Sequence, residues 1–438
     1  MLPPATSLRA RLLAALGYGN RSVRERKPHL ALSLTLGLAV ATPAFGQVAT
    51  PQLIADARRA AAAGRWTEAE SLYRTVLRED PLNDGVIAAL HQVTRNRPLR
   101  ADSHVLRRTR GVLPPRFRAY ETTRFIVLSD ASPRWTQTQA ERLERTFHQF
   151  HRYANRIGLR PLPLAHKLVC VLFADRHAYQ QFAARHDGVQ DPWIAGYYAP
   201  QNDRIVFYAS DANPSVVEAR SRIEQMQADL VSLAREASVA RNRGQHEHAA
   251  VLRRHHDRYR DHVRREIVRV ESFAEEVNIA TTVHEAIHQL MFHTGVQTVE
   301  VQYPLWISEG LATAFETAST SQAFGPDHEH AARRATFDAL WREGRMLTLG
   351  ALVTTTEIAN DDELVELLYH QSYALVSWMS RFRRAELQRY LNLMRSEPPG
   401  RLSAARHREV FERAFGPIKR VESAWRRFEM SQLAQTRR

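Results

Sequence analysis

Apolar residues recur at helical spacing over residues 51–97 and again from about 137 to 157, where Leu143, Phe147, Phe150 and Tyr153 fall on one face. Other apolar runs are short and continuous. Arg124-Phe125-Ile126-Val127-Leu128 and residues 167–173 predict strands, and a helix is expected to begin near Arg176. Residues 195–198 and 204–208 flank the polar stretch Pro200-Gln201-Asn202-Asp203, the pattern of a β-hairpin. Residues 213–272 are dense in Arg, Glu, Gln and His, yet Ile223, Leu230, Val263 and Val270 keep helical spacing around a break at Asn242-Arg243-Gly244-Gln245. This predicts two antiparallel helices, an inserted coiled-coil-like hairpin. The expectation is an α+β fold: a small mixed sheet, then a mostly helical C-terminal part.

The chain divides into a leader (1–46), a helical segment (47–97), a basic, Pro-containing linker (98–116) and a main domain (117–438) that carries the hairpin of residues 213–272. In the leader, Arg24, Arg26 and Lys27 precede the apolar run 31–41, and Ala44-Phe45-Gly46 supplies small residues for cleavage before Gln47. That layout predicts export, to the periplasm or outside the cell. The run is too short for a transmembrane anchor. In the helical segment, Gly64, Trp66, Ala69, Tyr73 and Pro81 stand at the spacings of a tetratricopeptide unit, which the segment resembles. A generic helical hairpin fits the same residues. One such unit cannot bury its own face, so it must pack on the rest of the chain or serve as a small interaction module for a protein partner.

Charge changes this picture little. The formal net charge is +14, and losing the leader's six basic and one acidic side chains leaves about +9. Arginines are interleaved with acidic residues and no nucleic-acid motif is present, so the surplus reads as a solvated basic surface, without a nucleic-acid partner. The single cysteine, Cys170, lies in a strand-like apolar run and reads as a buried thiol. His246, His248, His255 and His256 of the hairpin read as solvated.

The candidate chemistry lies downstream. His284-Glu285-Ala286-Ile287-His288 is an H-E-x-x-H pattern. On a helix, positions i and i+4 share a face, so both imidazoles reach one ion, and Glu285 stands beside them as a candidate general base. Trp306-Ile307-Ser308-Glu309-Gly310-Leu311-Ala312 follows, with Glu309 placed 21 residues after His288. Catalytic zinc takes three protein ligands and leaves one position open.

With these two motifs in order, the chain resembles the gluzincin zinc metallopeptidases, whose third ligand is a Glu in a W-x-x-E-G-x-A setting. The resemblance covers roughly residues 120–430, its tail (residues 411–416 and Trp425) being similar to the C-terminal helices of bacterial gluzincin-like proteins of unknown substrate. It implies a thermolysin-like core, a Zn²⁺ ion held by His284, His288 and Glu309, and Glu285 as base. Gly310 and Ala312 are expected to let the Glu309 helix approach the H-E-x-x-H helix, and Glu316 to act behind the ligands. Tyr369-His370-Gln371-Ser372 is similar to the Y-x-x-G/S stretch that supplies an oxyanion donor, which makes Tyr369 the candidate, with His370 and Tyr373 as neighbours. The G-x-M-E-N strand of the aminopeptidase branch is missing before His284, so aminopeptidase specificity does not carry over.

The first functional reading is therefore an exported zinc peptidase acting on a peptide or protein substrate. The alternative is a non-catalytic gluzincin-fold protein that recruits partners through its helical modules. Glu285 speaks against it, because a structural zinc site needs no base. Hydrolysis of a non-peptide amide fits the same residues.

Overall fold

A computed structural model describes residues 50–95, 97–190, 194–209, 213–357 and 362–435. The expected leader and its cleavage point lie outside the described residues. The fold is α+β and mostly helical, built on one five-stranded mixed sheet. No helix among the described residues is long and apolar enough to cross a membrane.

Helices α1 (Thr50–Ala62), α2 (Trp66–Glu79) and α3 (Asp84–Thr94) enclose a small core of their own around Ala57, Ala69, Tyr73 and Leu90. Tyr73 fills the groove between them, while Trp66 is 49% exposed. Part of the segment read as a linker is helical. Asp102 caps α4 (Ser103–Gly111), whose Val105 and Thr109 are buried.

The sheet runs β1 (Arg118–Glu121), β2 (Phe125–Ser129), β3 (Leu168–Phe173), β5 (Arg204–Tyr208), β4 (Gly196–Ala199). The β2–β3 and β3–β5 pairs are parallel, and the two edge pairs antiparallel. Side chains alternate between faces. Phe125, Val127, Leu168, Cys170, Leu172 and Phe207 join the main core, where α5 (Pro133–Arg156) and the H-E-x-x-H helix also pack. Ile126, Leu128 and Val169 face the other way, toward Val105 of α4, and Val171, Phe173 and Val206 meet α6 (Arg176–Phe182). Both faces are covered, so the inner strands read as unbroken apolar runs. β1 is different: all four of its residues are exposed, and it belongs to the sheet through backbone pairing with β2.

The hairpin departs from expectation at its second arm. α7 (Pro214–Asn242) packs along α8, which does not stop at residue 272 but runs as one 48-residue helix from His246 to His293, through the H-E-x-x-H segment. Residues 271–283 contain neither Gly nor Pro, and nothing there breaks the helix. His246, His248 and His255 are exposed.

The C-terminal half is α9 (Leu305–Phe315), α10 (Ala331–Arg342), α11 (Leu349–Leu352), α12 (Asp362–Phe382), α13 (Arg384–Arg395), α14 (Ala404–Phe415) and α15 (Ile418–Gln435). The fully buried indole of Trp306 anchors α9, with ring centroids 5.0 Å from Tyr390, 5.7 Å from Phe411 and 6.3 Å from Phe415. Gly310 does not serve the approach expected of it. A Cβ there would lie 2.7 Å from Val376 and 3.0 Å from the Ser372 carbonyl, so its bareness admits α12. The reason is helical phase: Glu309 faces α8, and the next residue points about 100° away around the helix.

Candidate metal centre

His284 and His288 stand one turn apart on the buried part of α8, and Glu309 projects toward them from α9. His284 Nε2 lies 3.1 Å from His288 Nε2 and 3.1 Å from a Glu309 oxygen, and His288 Nε2 lies 3.5 Å from the other Glu309 oxygen. Four-coordinate zinc with bonds of about 2.0–2.1 Å would place tetrahedral donors roughly 3.3 Å apart. The donor set, two imidazoles and a carboxylate, suits zinc and leaves a coordination position open. The residues therefore fit the ion.

Behind this set lies a buried chain of partners. His284 Nδ1 is 3.0 Å from a Glu316 oxygen, and Arg333 of α10 grips both Glu316 oxygens at 2.6–2.8 Å. Nδ1–H donating to Glu316 fixes the ring with Nε2 toward His288 and Glu309, where its lone pair would face a bound ion. Burial pushes the Glu316 carboxyl up, but Arg333 and His284 outweigh it and hold the pKa down to about 2. Burial disfavours a charged His284, yet hydrogen bonds donated to Glu309 and Glu316 raise its pKa to about 10. Glu309 is held well below the usual carboxylate range: burial opposes this, but the two histidines dominate. For Glu285 burial wins over the neighbouring histidines, and the pKa is raised.

The ligands open on a cleft of about 310 Å³, bounded by Gly196 and Tyr198 of β4, Glu285, Tyr303 and Tyr369. The Glu285 carboxylate accepts a hydrogen bond from the Tyr198 backbone N–H. Gly196 is required by closeness, since a Cβ there would meet Thr281 of α8 at 2.7 Å. The Tyr369 ring stacks over His284, centroids 6.2 Å apart, and faces the cleft. Its two neighbours point elsewhere. The Tyr373 hydroxyl accepts the His330 backbone N–H at 3.0 Å, and His370 is buried, its pKa pushed down to about 3 by burial and then by Arg333. A larger cavity, about 790 Å³, lies between α3 and α5 and contains none of the candidate ligands.

Sequence reasoning missed Arg333 and Tyr198. Arg333 had a signal: it shares a face with the buried Phe337 and Leu340, spaced i, i+4, i+7, so a guanidinium pointed inward. Tyr198 had none, because its part is played by backbone.

A family model described as a protein of unknown function, DUF1570, matches residues 278–400. That span includes the H-E-x-x-H segment, Glu309, Glu316, Arg333 and Tyr369, and leaves out the sheet and most of the hairpin. No curated protein matches the chain.

Proposed function

We propose that this chain is an exported zinc-dependent peptidase of gluzincin type, with His284, His288 and Glu309 as ligands, Glu285 as general base and Tyr369 as oxyanion donor. The observation that carries the reading is the convergence of three donors, a locked His284 tautomer and the Glu285 carboxylate on one cleft. A bound zinc ion supplies Lewis acidity toward water and the scissile carbonyl. Glu285, with its raised pKa, takes a proton from the attacking water and later hands it to the leaving amine. Tyr369 offers its phenol to the carbonyl oxygen as negative charge gathers there. β4 is the edge of the sheet and lines the cleft. An extended peptide would add along this edge as a further strand.

Replacing Glu285 by Gln tests this. Glu285→Gln is expected to keep the fold and about one zinc at His284, but to lose hydrolysis of an unfolded-protein or peptide-library substrate by roughly 100-fold or more, in turnover rather than binding. Undiminished cleavage by Glu285→Gln removes the mechanism. Wild-type protein that carries zinc and cleaves nothing in such a screen favours the binding-protein reading instead, to which the long exposed hairpin lends its support.

A further inference from the structure

His293, the last residue of α8, ends beside the β4–β5 turn. Its Nε2 lies 2.6 Å from Asp203 Oδ1, and the other Asp203 oxygen lies 3.9 Å from His166 Nε2. The donor atoms of His166, Asp203 and His293 all fall within 4.8 Å of one another, and the three side chains are 15–20% exposed. His166 Nδ1 sits 3.1 Å from the Lys167 carbonyl. Donation to that carbonyl fixes the tautomer and leaves the Nε2 lone pair facing outward. Two carboxylates meet that lone pair: Asp203 at 3.9 Å and Asp102 Oδ2 at 4.0 Å. Neither distance is a hydrogen bond. A proton on Nε2 or a bound cation relieves the facing lone pairs, and the gap of 3.9–4.0 Å is wider than a proton alone bridges as a hydrogen bond. The Asp102 side is fixed, because its Oδ1 caps α4 through His104 and Val105 N–H and leaves Oδ2 toward His166. The C-terminal end of α8 adds negative potential at the same point.

We propose that His166, Asp203 and His293 form a second binding site for a divalent transition ion of the zinc class, with Asp102 as fourth donor. Two imidazoles and the Asp203 carboxylate supply three donors, and Asp102 Oδ2, 4.0 Å from His166 Nε2, stands beside them for the fourth position, the ligand number of a structural site. The ion ties four separate segments together: the end of α8, the β4–β5 turn, the loop before β3 and the start of α4. Its effect reaches the first centre through Tyr198, whose hydroxyl donates to Asp203 at 3.2 Å while its backbone N–H holds Glu285. The ion thus sets the wall of the cleft without entering the chemistry.

Zinc stoichiometry decides the matter. The full chain, stripped with chelator and refilled with Zn²⁺ alone, is passed through gel filtration and analysed for metal. Two equivalents per chain are expected. Asp203→Asn combined with His293→Gln is expected to remove one, and His284→Ala combined with His288→Ala to remove the other. One equivalent in wild type that survives Asp203→Asn/His293→Gln overturns the second site and leaves the first. One equivalent lost with Asp203→Asn/His293→Gln but kept in His284→Ala/His288→Ala supports the second site and overturns the first. If Asp203→Asn/His293→Gln misfolds by circular dichroism, the loop substitution His166→Gln takes its place. As an independent reading, excess Zn²⁺ added to the stripped His284→Ala/His288→Ala protein is expected to raise its melting temperature by roughly 4 °C, as binding to the folded state alone requires. An unchanged melting temperature counts against the site.

Discussion

His284 Nδ1 lies 3.0 Å from a carboxylate oxygen of Glu316, a residue that closes the end of α9. Glu316 is in turn clamped by Arg333, so the ring orientation of a candidate zinc ligand is set two residues away from the metal position. Glu316→Gln is expected to weaken zinc binding roughly 10–100-fold, as measured by chelator competition, with the fold preserved. Arg333→Met strands a buried carboxylate and is expected to cost about 3–5 kcal/mol in denaturant unfolding. Unchanged zinc affinity in Glu316→Gln argues that His284 is oriented by something else.

Tyr369 stacks on the same imidazole from the cleft side. Tyr369→Phe keeps that ring contact and removes only the hydroxyl. Zinc content is expected to stay constant while turnover falls roughly 10–100-fold, less than for Glu285→Gln. An equal loss in Tyr373→Phe would contradict the placement, since the Tyr373 hydroxyl is turned toward the His330 backbone.

The aromatic cluster at Trp306 holds α9 from below. Trp306→Ala is expected to destabilise the protein by about 3–5 kcal/mol and to loosen zinc binding, because Glu309 rides on the same helix. Trp306→Phe should cost less on both counts. Denaturant midpoints and zinc retention at equal folded fraction check this.

His151 gives stability a dependence on acidity. Burial, then Arg124 and the neighbouring histidines, push its pKa from 6.5 down to about 4. The unfolded chain therefore takes up a proton that the folded chain refuses. The His151 contribution is complete above pH 6.5 and is lost as the pH falls toward 4, by up to about 3 kcal/mol. His151→Phe is expected to lose less stability than wild type between pH 7 and pH 4.5 in urea unfolding. Equal losses mean that His151 is protonated in the fold.

The hairpin is expected to be separable from the candidate metal centre at His284. Arg220 pairs with Glu271 and Tyr259 with Asp229 across the two arms, which sets their register. Replacing residues 228–262 by a short Gly-rich loop keeps the Arg220–Glu271 pair and everything below it. Zinc retention at His284 should be unchanged, and its loss would make the distal arms part of the core.

The grouping at the candidate centre was legible because its three candidate ligands sit in two local patterns, each read from one helix. The helix register places His284 beside His288, and Glu309 follows at a familiar distance in a recognisable setting. What remained hidden depends on contacts far apart in sequence. Arg142 of α5 reaches Glu275 of α8, and His166 meets both Asp203 and His293, through no periodicity a single segment displays. β1 was hidden for another reason: an exposed strand of Arg, Ala, Tyr and Glu carries no burial pattern, and pairing alone defines it. The end of the hairpin was misplaced because a change of composition at residue 272 is not a change of backbone. The helix continues while its surroundings pass from solvent to core.

That continuity makes α8 a lever. From His246 to His284 the helix rises through 38 residue steps, roughly 57 Å of unbroken rod at 1.5 Å per step. A one-degree tilt at its base sweeps the far end through about 1 Å, a displacement set by that same length. The ratio works in reverse as well: a sideways load at the tip acts on the candidate metal centre with the arm's whole moment. A Gly-Gly pair placed in α8 near residue 265, above Glu271, would turn the rod into a hinge and cancel that moment without touching a ligand.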